Sequence, residues 1–306
     1  MQTETRNIAV LLTCFNRKDK TVMCLSKLYE AVIAYNSKNQ QHQIDLETFL
    51  VDDGCTDGTA DEVRSRFHSQ KIQIIQGDGT LYWAGGMRRA WTEAYKRHQE
   101  WDFYLLLNDD TLVFPILFDE LLGAHKFAIE TFHKDGIYSG ITRSAYSPFR
   151  MTYGGSVWIN KFKGTLRRLV PNGYCQLCDV VNANVLLVSA AVVDEVGLLS
   201  EDYQHGLADY DYAIRVRKAS FPVLLTASFC GTCENDHQSM NEIAAKIIGM
   251  SLSERMQYFR HPVHSNKDYL RFIRNTSPVR LPIVWVGRII NLYLPRLYYK
   301  LNSMRV

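Results

Sequence analysis

Acidic and polar side chains follow four successive apolar segments in the first part of the chain. In order, they are Thr13, Asn16 and Arg17, then Asp52 and Asp53, then Asp78, and finally Asp109 and Asp110. Carboxylates accept hydrogen bonds and are the oxygen ligands that Mg²⁺ and similar cations take from proteins. One acidic turn would be ordinary, but four strand ends in succession that carry such groups indicate a common site.

The apolar segments predict the elements that position these side chains. Short apolar runs typical of buried strands occur at residues 8–13, 46–51, 72–75 and 103–107. Helical patterns separate them: one spans about residues 18–36, another begins at Thr59 with Glu62 at capping-box spacing, and a third ends near residue 98. This alternation predicts an α/β fold with a doubly wound, mostly parallel sheet, in which ligands bind beyond the carboxyl ends of the strands.

The second half of the chain is less regular. Residues 136–158 resemble strands and loops, and two strand segments flank residues 182–184. A short helix is expected over residues 190–196 and a longer one from near Asp209. From about residue 251 the chain becomes helical, aromatic and basic.

Sugar transfer from a nucleotide sugar is one chemistry that these clusters could perform. It needs a seat for the nucleoside, a cation for the leaving diphosphate and a base for the acceptor hydroxyl. In the segment VDDGCTDGT, residues 51–59, Asp53 could accept hydrogen bonds from the nucleobase or ribose, while the glycines permit a tight turn. The alternative is a loop in which Asp57 and Thr59 merely cap the next helix.

The candidate cation site is the sequence Asn108-Asp109-Asp110. A diphosphate-bound Mg²⁺ or Mn²⁺ takes one or two protein carboxylates and fills its other positions with phosphate oxygens and water. Asp110 would be the direct ligand, with Asp109 placed toward the sugar hydroxyls. An Asp-rich turn without a ligand is the alternative.

The candidate base lies in GLADYDYAIRVRK, residues 206–218, where Asp209 and Asp211 open a helix. A carboxylate there is stabilised by the helix N-terminus, and a pocket position can keep it basic enough to accept a hydroxyl proton. Asp209 is the favoured residue. The alternative is that both acids only complement the helix dipole.

Two further patterns involve metal-ligating residue types. His237 follows the strand-like residues 223–229 and could be a late ligand of the cation or touch the diphosphate. The spacings Cys175-x-x-Cys178 and Cys230-x-x-Cys233 match a tetrahedral zinc site. The pairs adjoin apolar runs and lack Gly-rich knuckle turns, which favours buried or spare thiols over zinc.

Taken together, these motifs resemble inverting glycosyltransferase family 2, which has the GT-A type fold. TCFNRKDK resembles the opening "TYNR" element of that family, VDDGCTDGT its nucleotide loop, LLLNDDT its DXD-like metal motif and ADYDYAIRVRKAS its base segment. The Gly-rich segment GDGTLYWAGGMRRAW resembles most the bacterial rhamnosyltransferase-like branch, which builds O-antigen or capsule chains. The resemblance covers about residues 7–240.

The resemblance implies a role for each matching residue and a single displacement that inverts the anomeric centre. The implied nucleotide-binding residues are Thr13, Asn16, Arg17, Asp53, Asp78 and Asp109; the sugar or acceptor side has Trp83, Gly85, Gly86, Asn182, Asn184 and Asp211; the cation binds Asp110 and His237; and Asp209 is the general base. The chain departs from the family pattern at Cys14, Cys55 and Ala208, and the last of these affects how the acceptor is oriented.

The basic residues are concentrated at the C-terminus. Residues 255–306 contain ten Lys or Arg and the single acid Asp268, which leaves 25 bases against 31 acids in residues 1–254. We therefore expect a transferase domain over residues 1–240, no nucleic-acid partner, and a helical extension over residues 241–306. That extension could contact an anionic membrane surface or form a helical cap or homodimer surface.

Several observations concern location and competing functions. The N-terminus lacks a basic start followed by an apolar run, and seven scattered cysteines favour a reducing compartment, so we expect a cytoplasmic protein, peripheral on the inner membrane face if the tail binds lipid. The expected partners are a nucleoside-diphosphate sugar and a glycan or lipid-linked acceptor. The alternatives are a sugar nucleotidyltransferase, disfavoured because the first strand lacks a following Gly-rich loop, and a noncatalytic nucleotide-sugar binding protein.

Overall fold

The computed structural model describes residues 4–235 and 238–303. Within them a large mixed sheet forms the centre of the fold and a small antiparallel sheet lies beside it. The strands are β1 (Glu4–Cys14), β2 (His42–Asp52), β3 (Ile72–Gln76), β4 (Phe103–Leu107), β5 (Leu112–Val113), β6 (Ile137–Arg143), β7 (Met151–Tyr153), β8 (Gly155–Asn160), β9 (Thr165–Arg168), β10 (Gln176–Leu177), β11 (Val180–Val181), β12 (Val185–Ser189) and β13 (Val223–Thr232).

The helices cover both faces of the large sheet and continue beyond it at the C-terminus. They are α1 (Lys18–Lys38), α2 (Thr59–Arg66), α3 (Tyr82–Tyr95), α4 (Leu117–Phe132), α5 (Ala190–Val196), α6 (Ala208–Lys218), α7 (Met240–Gly249), α8 (Leu252–Arg260), α9 (Asn266–Thr276), α10 (Leu281–Tyr293) and α11 (Pro295–Ser303). None of the described helices is long and apolar enough to cross a membrane.

The N-terminal half of the sheet confirms the predicted parallel arrangement. The order across the sheet is β10-β13-β6-β12-β4-β1-β2-β3, and the last four strands are parallel to one another. All five residues of β4 are buried, as expected for a parallel strand covered on both faces. Thr13 pairs with Val51 and Asp52 with Gln76, so these three strands end at the same edge of the sheet.

An antiparallel strand, β12, joins the two halves of the large sheet. β12 lies between β4 and β6 and runs antiparallel to both, with Val185 opposite Leu107. The chain therefore enters β12 where β4 ends, and the backbone N–H of Asn108 donates to the carbonyl of Asn184 at 3.0 Å. This pairing brings residues 182–184 to the edge where the acids of the first half lie.

The C-terminal helices share the core of the sheet domain. Phe272 and Ile273 of α9 are buried in the same apolar cluster as Tyr203, which precedes α6, and Tyr212, which lies in α6. Helix α7 begins at Met240, earlier than the predicted onset near residue 251, because Ser239 and Glu242 form a capping box that the sequence reading missed.

The capping box predicted at Thr59 is wrong. The N-cap of α2 is Gly58, whose backbone is left-handed with φ of 79°, and no side chain caps that position. Thr59 is the first helical residue, and its backbone N–H donates to the Asp57 carboxylate at 3.1 Å. The preceding turn is thus fixed by a glycine and an aspartate, which matches the alternative in which Asp57 initiates the helix.

Replacing Gly86 with alanine should destabilise the fold. Gly86 lies on the face of α3 that contacts β1, and a Cβ there would come within 2.7 Å of the Thr13 Cβ. Because a closely packed interface must shift to accept an added methyl group, we expect Gly86→Ala to lower the free energy of unfolding by roughly 1–3 kcal/mol in urea denaturation.

Gly123→Ala provides the matched control. Gly123 lies inside α4, and a Cβ there would meet nothing within 4 Å, so the substitution should stabilise the protein by up to about 1 kcal/mol through helix propensity alone. Equal stability of the two variants would contradict the close contact between α3 and β1.

Candidate active site

The loop after β1 and the loop after β4 meet in an ion-pair cluster. Arg17 donates from Nη1 to Oδ2 of Asp110 at 2.9 Å and to Oδ1 of Asp109 at 3.4 Å. Arg17 precedes α1, and Thr21 in the first turn of that helix donates to Asp109 at 3.4 Å. Three residues predicted at the site are therefore in direct contact.

Asp109 is the buried member of this cluster. Burial raises the pKa of its carboxyl to about 6, and the neighbouring Asp110 adds to the rise while Arg17 opposes it. The carboxylate is thus held in an environment that disfavours its charge. A further cation beside it would relieve that cost.

Asp110 is more accessible than Asp109, and its second carboxylate oxygen is in contact with a thiol. Cys233, at the end of β13, lies with its Sγ 3.5 Å from Oδ1 of Asp110, and the Asn184 side-chain amide donates to the same sulfur at 3.4 Å. Burial, reinforced by Asp110, raises the pKa of the Cys233 thiol to about 12, so it stays protonated at neutral pH. A thiol is a weak donor, which leaves this oxygen of Asp110 able to accept a stronger partner.

The carboxylates fit a hard divalent cation that brings most of its own ligands. No cluster of three or more His, Cys, Asp or Glu side chains that could hold a metal occurs in residues 4–235 and 238–303. A cation bound to a diphosphate needs only one or two protein carboxylates, and Asp110, with Asp109 behind it, supplies that number. Arg17 already binds oxygens of these two carboxylates, so its guanidinium and a metal ion would share them.

Asp53 holds the loop that leads into α3. Its buried carboxylate accepts hydrogen bonds from the backbone N–H groups of Gly79 at 2.9 Å and of Leu81 and Tyr82 at 3.1 Å each. A Cβ on Gly54 would come within 3.1 Å of the Gly79 backbone, so the two loops touch. Both oxygens have backbone partners here, and the predicted contact of Asp53 with a nucleoside stays a prediction.

The remaining predicted nucleotide-side residues lie on the same loops. Asn16, with a left-handed φ of 50°, accepts a hydrogen bond from the backbone N–H of Thr56 at 2.7 Å and so ties the loop after β1 to the loop after β2. Asp78 accepts from the backbone N–H and hydroxyl of Thr80, which lowers the pKa of its carboxyl. Thr13 packs against Gly86 at the end of β1.

The Gly-rich segment positions one indole at the ion-pair cluster. Trp83 donates from Nε1 to the side-chain oxygen of Asn108 at 2.7 Å, directly beside Asp109. Gly85 and Gly86 are buried in α3, and the close approach of Gly86 to β1 is what allows this helix to lie there. Gly86 thus has a packing role, whereas the Trp83 indole lies beside the acidic pair.

Asp209 approaches the site from the opposite side. At the start of α6, its carboxylate accepts hydrogen bonds from the backbone N–H of Tyr210 at 2.9 Å and of Ala183 at 3.3 Å, and it also interacts with the Asn182 side chain. Burial nevertheless raises the pKa of this carboxyl to about 6. The result is a carboxylate that is ionised at neutral pH yet a far better proton acceptor than an ordinary aspartate.

Residues 182–184 connect the two acidic groups. Ala183 donates to Asp209, while Asn184 accepts from the backbone of Asn108 and contacts Cys233 beside Asp110. On the other flank, the loop that Asp53 holds continues into Trp83, which binds Asn108. Hydrogen bonds therefore link the surroundings of residues 53, 110 and 209.

Asp211, two residues after Asp209, is bound by side chains of the protein. It is buried, accepts from the Tyr203 hydroxyl at 3.2 Å and forms an ion pair with Arg215 at 3.0 Å. Arg215 also donates to the carbonyls of Val196 and Leu198. Both carboxylate oxygens thus have protein partners, and Asp211 fastens α6 to the segment before it.

The two cysteines of the second CxxC pair have different neighbours, and one predicted ligand lies outside the described residues. Cys230 contacts the hydroxyl of Thr226, whereas Cys233 contacts Asp110. His237 lies outside the described residues. The sequence analysis weighed Cys233 as a zinc ligand or a buried thiol and missed its contact with Asp110, because no local pattern reports a neighbour from a distant strand.

The fold is shared with solved nucleotide-sugar-binding proteins. S. aureus TarS in complex with UDP matches with a TM-score of 0.53 at 11% identity, over 98% of this chain and 92% of that one. TarS in complex with UDP-GlcNAc matches with 0.52 at 11% identity, over 95% and 88%. Mannosyltransferase PcManGT from Pyrobaculum calidifontis, in complex with GDP-Man and Mn²⁺, matches with 0.50 at 15% identity, over 97% and 83%.

This chain has the glycosyltransferase GT-A type fold. In it a mostly parallel, Rossmann-like sheet is followed by C-terminal helices, as predicted. Neither a protein-family model nor a curated protein sequence matches the chain.

The raised pKa of Asp209 should make stability depend on pH. The folded-state pKa of about 6 lies above the ordinary value of 3.8. The folded protein therefore binds this proton more tightly than the unfolded chain, and it loses stability as the pH rises from about 4 through about 6. Asp209→Asn removes that loss, so its free energy of unfolding relative to the wild type should rise by roughly 2–3 kcal/mol between about pH 4 and pH 7.

Urea denaturation of both proteins at the two pH values measures this difference. Asp119→Asn, on the partly exposed surface of α4, controls for a general pH effect of exchanging Asp for Asn. A difference between Asp209→Asn and the wild type that is independent of pH would show that Asp209 does not titrate as the burial of its carboxyl requires.

Proposed function

We propose that this protein is an inverting glycosyltransferase that moves a sugar from a nucleoside-diphosphate sugar to an acceptor hydroxyl. One observation carries the proposal: in a GT-A type fold, residues 182–184 link a carboxylate of raised pKa, Asp209, to the acidic pair Asp109 and Asp110 at the end of β4. The solved structures of similar fold that bind UDP-GlcNAc or GDP-Man support a nucleotide-sugar donor.

The donor side of the site would use the loops after β1, β2 and β3. Arg17 contacts both carboxylates of the acidic pair, and it could pair with a diphosphate once Asp109 and Asp110 bind a metal ion. Asn16, Asp53 and Asp78 lie on these loops and Thr13 lies near the end of β1, and together they would surround the nucleoside, with Asp109 toward the donor sugar. A Mg²⁺ or Mn²⁺ ion held by Asp110, and by His237 as a second ligand, would supply positive charge to the leaving diphosphate.

Asp209 would act on the acceptor. The acceptor hydroxyl oxygen attacks the anomeric carbon, its proton passes to the Asp209 carboxylate, and the bond from that carbon to the diphosphate oxygen breaks with its electron pair leaving on the nucleoside diphosphate. Attack from the face opposite the leaving group inverts the configuration. Asn182 binds Asp209, and Asn184 and Trp83 bind Asn108, so these three residues would contact the sugar or the acceptor.

The motif resemblance supports a finer assignment. We assign the enzyme to glycosyltransferase family 2, close to the rhamnosyltransferase-like branch, with a glycan or lipid-linked acceptor in bacterial surface polysaccharide synthesis. This acceptor class fits a cytoplasmic enzyme that works at the inner face of the membrane. The noncatalytic alternative keeps the same donor contacts but releases no nucleoside diphosphate.

Substitution of the two key acids should separate donor binding from catalysis. With Mn²⁺ or Mg²⁺ and a panel of UDP-, GDP- and dTDP-sugars offered with glycan acceptors, the wild type should release nucleoside diphosphate. Asp209→Asn removes the proton acceptor, so turnover should fall by about 10²–10⁴-fold while donor affinity stays unchanged. Asp110→Asn removes the direct metal ligand and should weaken both metal-dependent donor binding and turnover by at least about tenfold.

Calorimetric donor titration with each variant measures the affinities, and released nucleoside diphosphate measures the turnover. Asp119→Asn serves as the matched surface control and should retain both. Full turnover in Asp209→Asn would remove the base role, and a donor that binds without any release from the wild type would favour the noncatalytic alternative.

A further inference from the structure

A groove lies between α9 and the beginning of α10, outside the site described above. It encloses about 730 Å³, and the residues that line it include Lys267, Arg271, Arg274, Leu281, Pro282 and Trp285. The three basic residues are spaced by four and three positions, which places them on one face of α9. One wall of the groove is therefore cationic, and the other, formed by α10, is apolar.

Most of the positive charge at the groove is uncompensated. Arg271 pairs with an acidic side chain at 2.9 Å, but neither Lys267 nor Arg274 forms an ion pair with a described carboxylate. The single acid in residues 255–306, Asp268, is buried and accepts a hydrogen bond from the backbone of Gln204. The Asp268 carboxylate is thus bound to the loop before α6. Lys267 and Arg274 are therefore available to pair with an external anion.

The apolar wall continues into an exposed surface. Val279, Ile283 and Trp285 have exposed fractions of 73%, 63% and 54%. A patch of large apolar side chains exposed to water is unfavourable unless a ligand covers it. Their position beside unpaired cations matches the interfacial layer of a membrane, where phosphates lie above acyl chains.

A hairpin from a distant part of the sequence extends the same surface. The turn between β8 and β9 has the sequence NKFKG, residues 160–164, and Phe162 at its tip is 65% exposed. Gly164 lies against Arg280, since a Cβ on Gly164 would come within 2.6 Å of the Arg280 guanidinium carbon. Arg280 immediately precedes α10, so the hairpin tip adjoins the groove. Residues 155–171 add four basic side chains and no acid.

We propose that the α9–α10 groove and the β8–β9 tip together form a docking surface for anionic phospholipid membranes. Lipid phosphates pair with Lys267 and Arg274, while Trp285, Ile283 and Phe162 enter the interface. The exposed apolar side chains favour a membrane over a nucleic acid or another polyanion. A polyanion would pair with the Lys and Arg side chains but would leave the apolar ones in water. The surface includes the β8–β9 hairpin, which lies outside the C-terminal extension that the sequence indicated.

Vesicle sedimentation of the full chain tests this surface. The wild type should bind vesicles of equal parts phosphatidylglycerol and phosphatidylcholine, should bind pure phosphatidylcholine far more weakly, and should be released by salt. Each base near an anionic surface contributes roughly fivefold to affinity, so Lys267→Gln with Arg274→Gln should weaken binding roughly thirtyfold. Phe162→Ser at the hairpin tip, combined with Ile159→Ser at the adjoining exposed position near the end of β8, should weaken binding roughly tenfold or more.

A charge-matched variant distinguishes loss of this surface from a general loss of positive charge. Arg64→Gln with Lys126→Gln removes the same charge from exposed positions on α2 and α4 and should leave vesicle binding within about twofold. Unchanged binding in the groove variant, or equal binding to neutral vesicles, would overturn the proposal. So would full displacement by single-stranded DNA at equal charge with no effect of the hairpin variant, because that pattern indicates a polyanionic partner. The assay contains no donor or acceptor, and its result is independent of sugar transfer.

Discussion

Two adjacent carboxylates, Asp109 and Asp110, lie at the end of a strand that is buried along its whole length, and one guanidinium from the loop after β1 offsets their repulsion. Arg17 attracts both carboxylates, but its side chain is 46% exposed and solvent screens the charges, so its net contribution to stability is on the order of 1 kcal/mol or less. The contact depends on the order of the strands, because β1 lies beside β4 and the loops after the two strands therefore meet.

The second side of the site depends on an antiparallel strand in a mostly parallel sheet. Because β12 runs antiparallel to β4, residues 182–184, which precede β12, lie where β4 ends, and they carry the contacts to Asp209. A parallel strand in that position would place the residues that precede it at the opposite edge of the sheet. The reversed direction of β12 thus brings residues far apart in sequence to the same edge.

The sequence predicted the parallel half of the fold well because strands buried on both faces are continuous apolar runs, and the bounds of β4 matched the expected segment. It did not predict the partners of Asp53, which are backbone N–H groups of a loop reached only after folding. The Thr59 capping box failed because its spacing says nothing about the left-handed backbone at Gly58. Ser239 and Glu242 had the same spacing and did form a box, so spacing alone could not distinguish the two.

The acidic residues at the strand ends were identified correctly as neighbours, since parallel strands end at one edge. Their individual tasks were harder to assign. Asp209 and Asp211 are two residues apart on one helix, yet one has a raised pKa and faces residues 182–184 while the other is paired with Arg215. Only tertiary contacts distinguish the carboxylate with a raised pKa from the one held in an ion pair.

The loops after β1, β2 and β3 are joined by hydrogen bonds before any ligand arrives. Asn16 fastens the first to the second, and Asp53 fastens the second to the third. A flexible loop would have to be ordered on binding, at an entropic cost that subtracts from affinity. Since hydrogen bonds already join these loops, less of the affinity for the proposed nucleotide would be lost to ordering them.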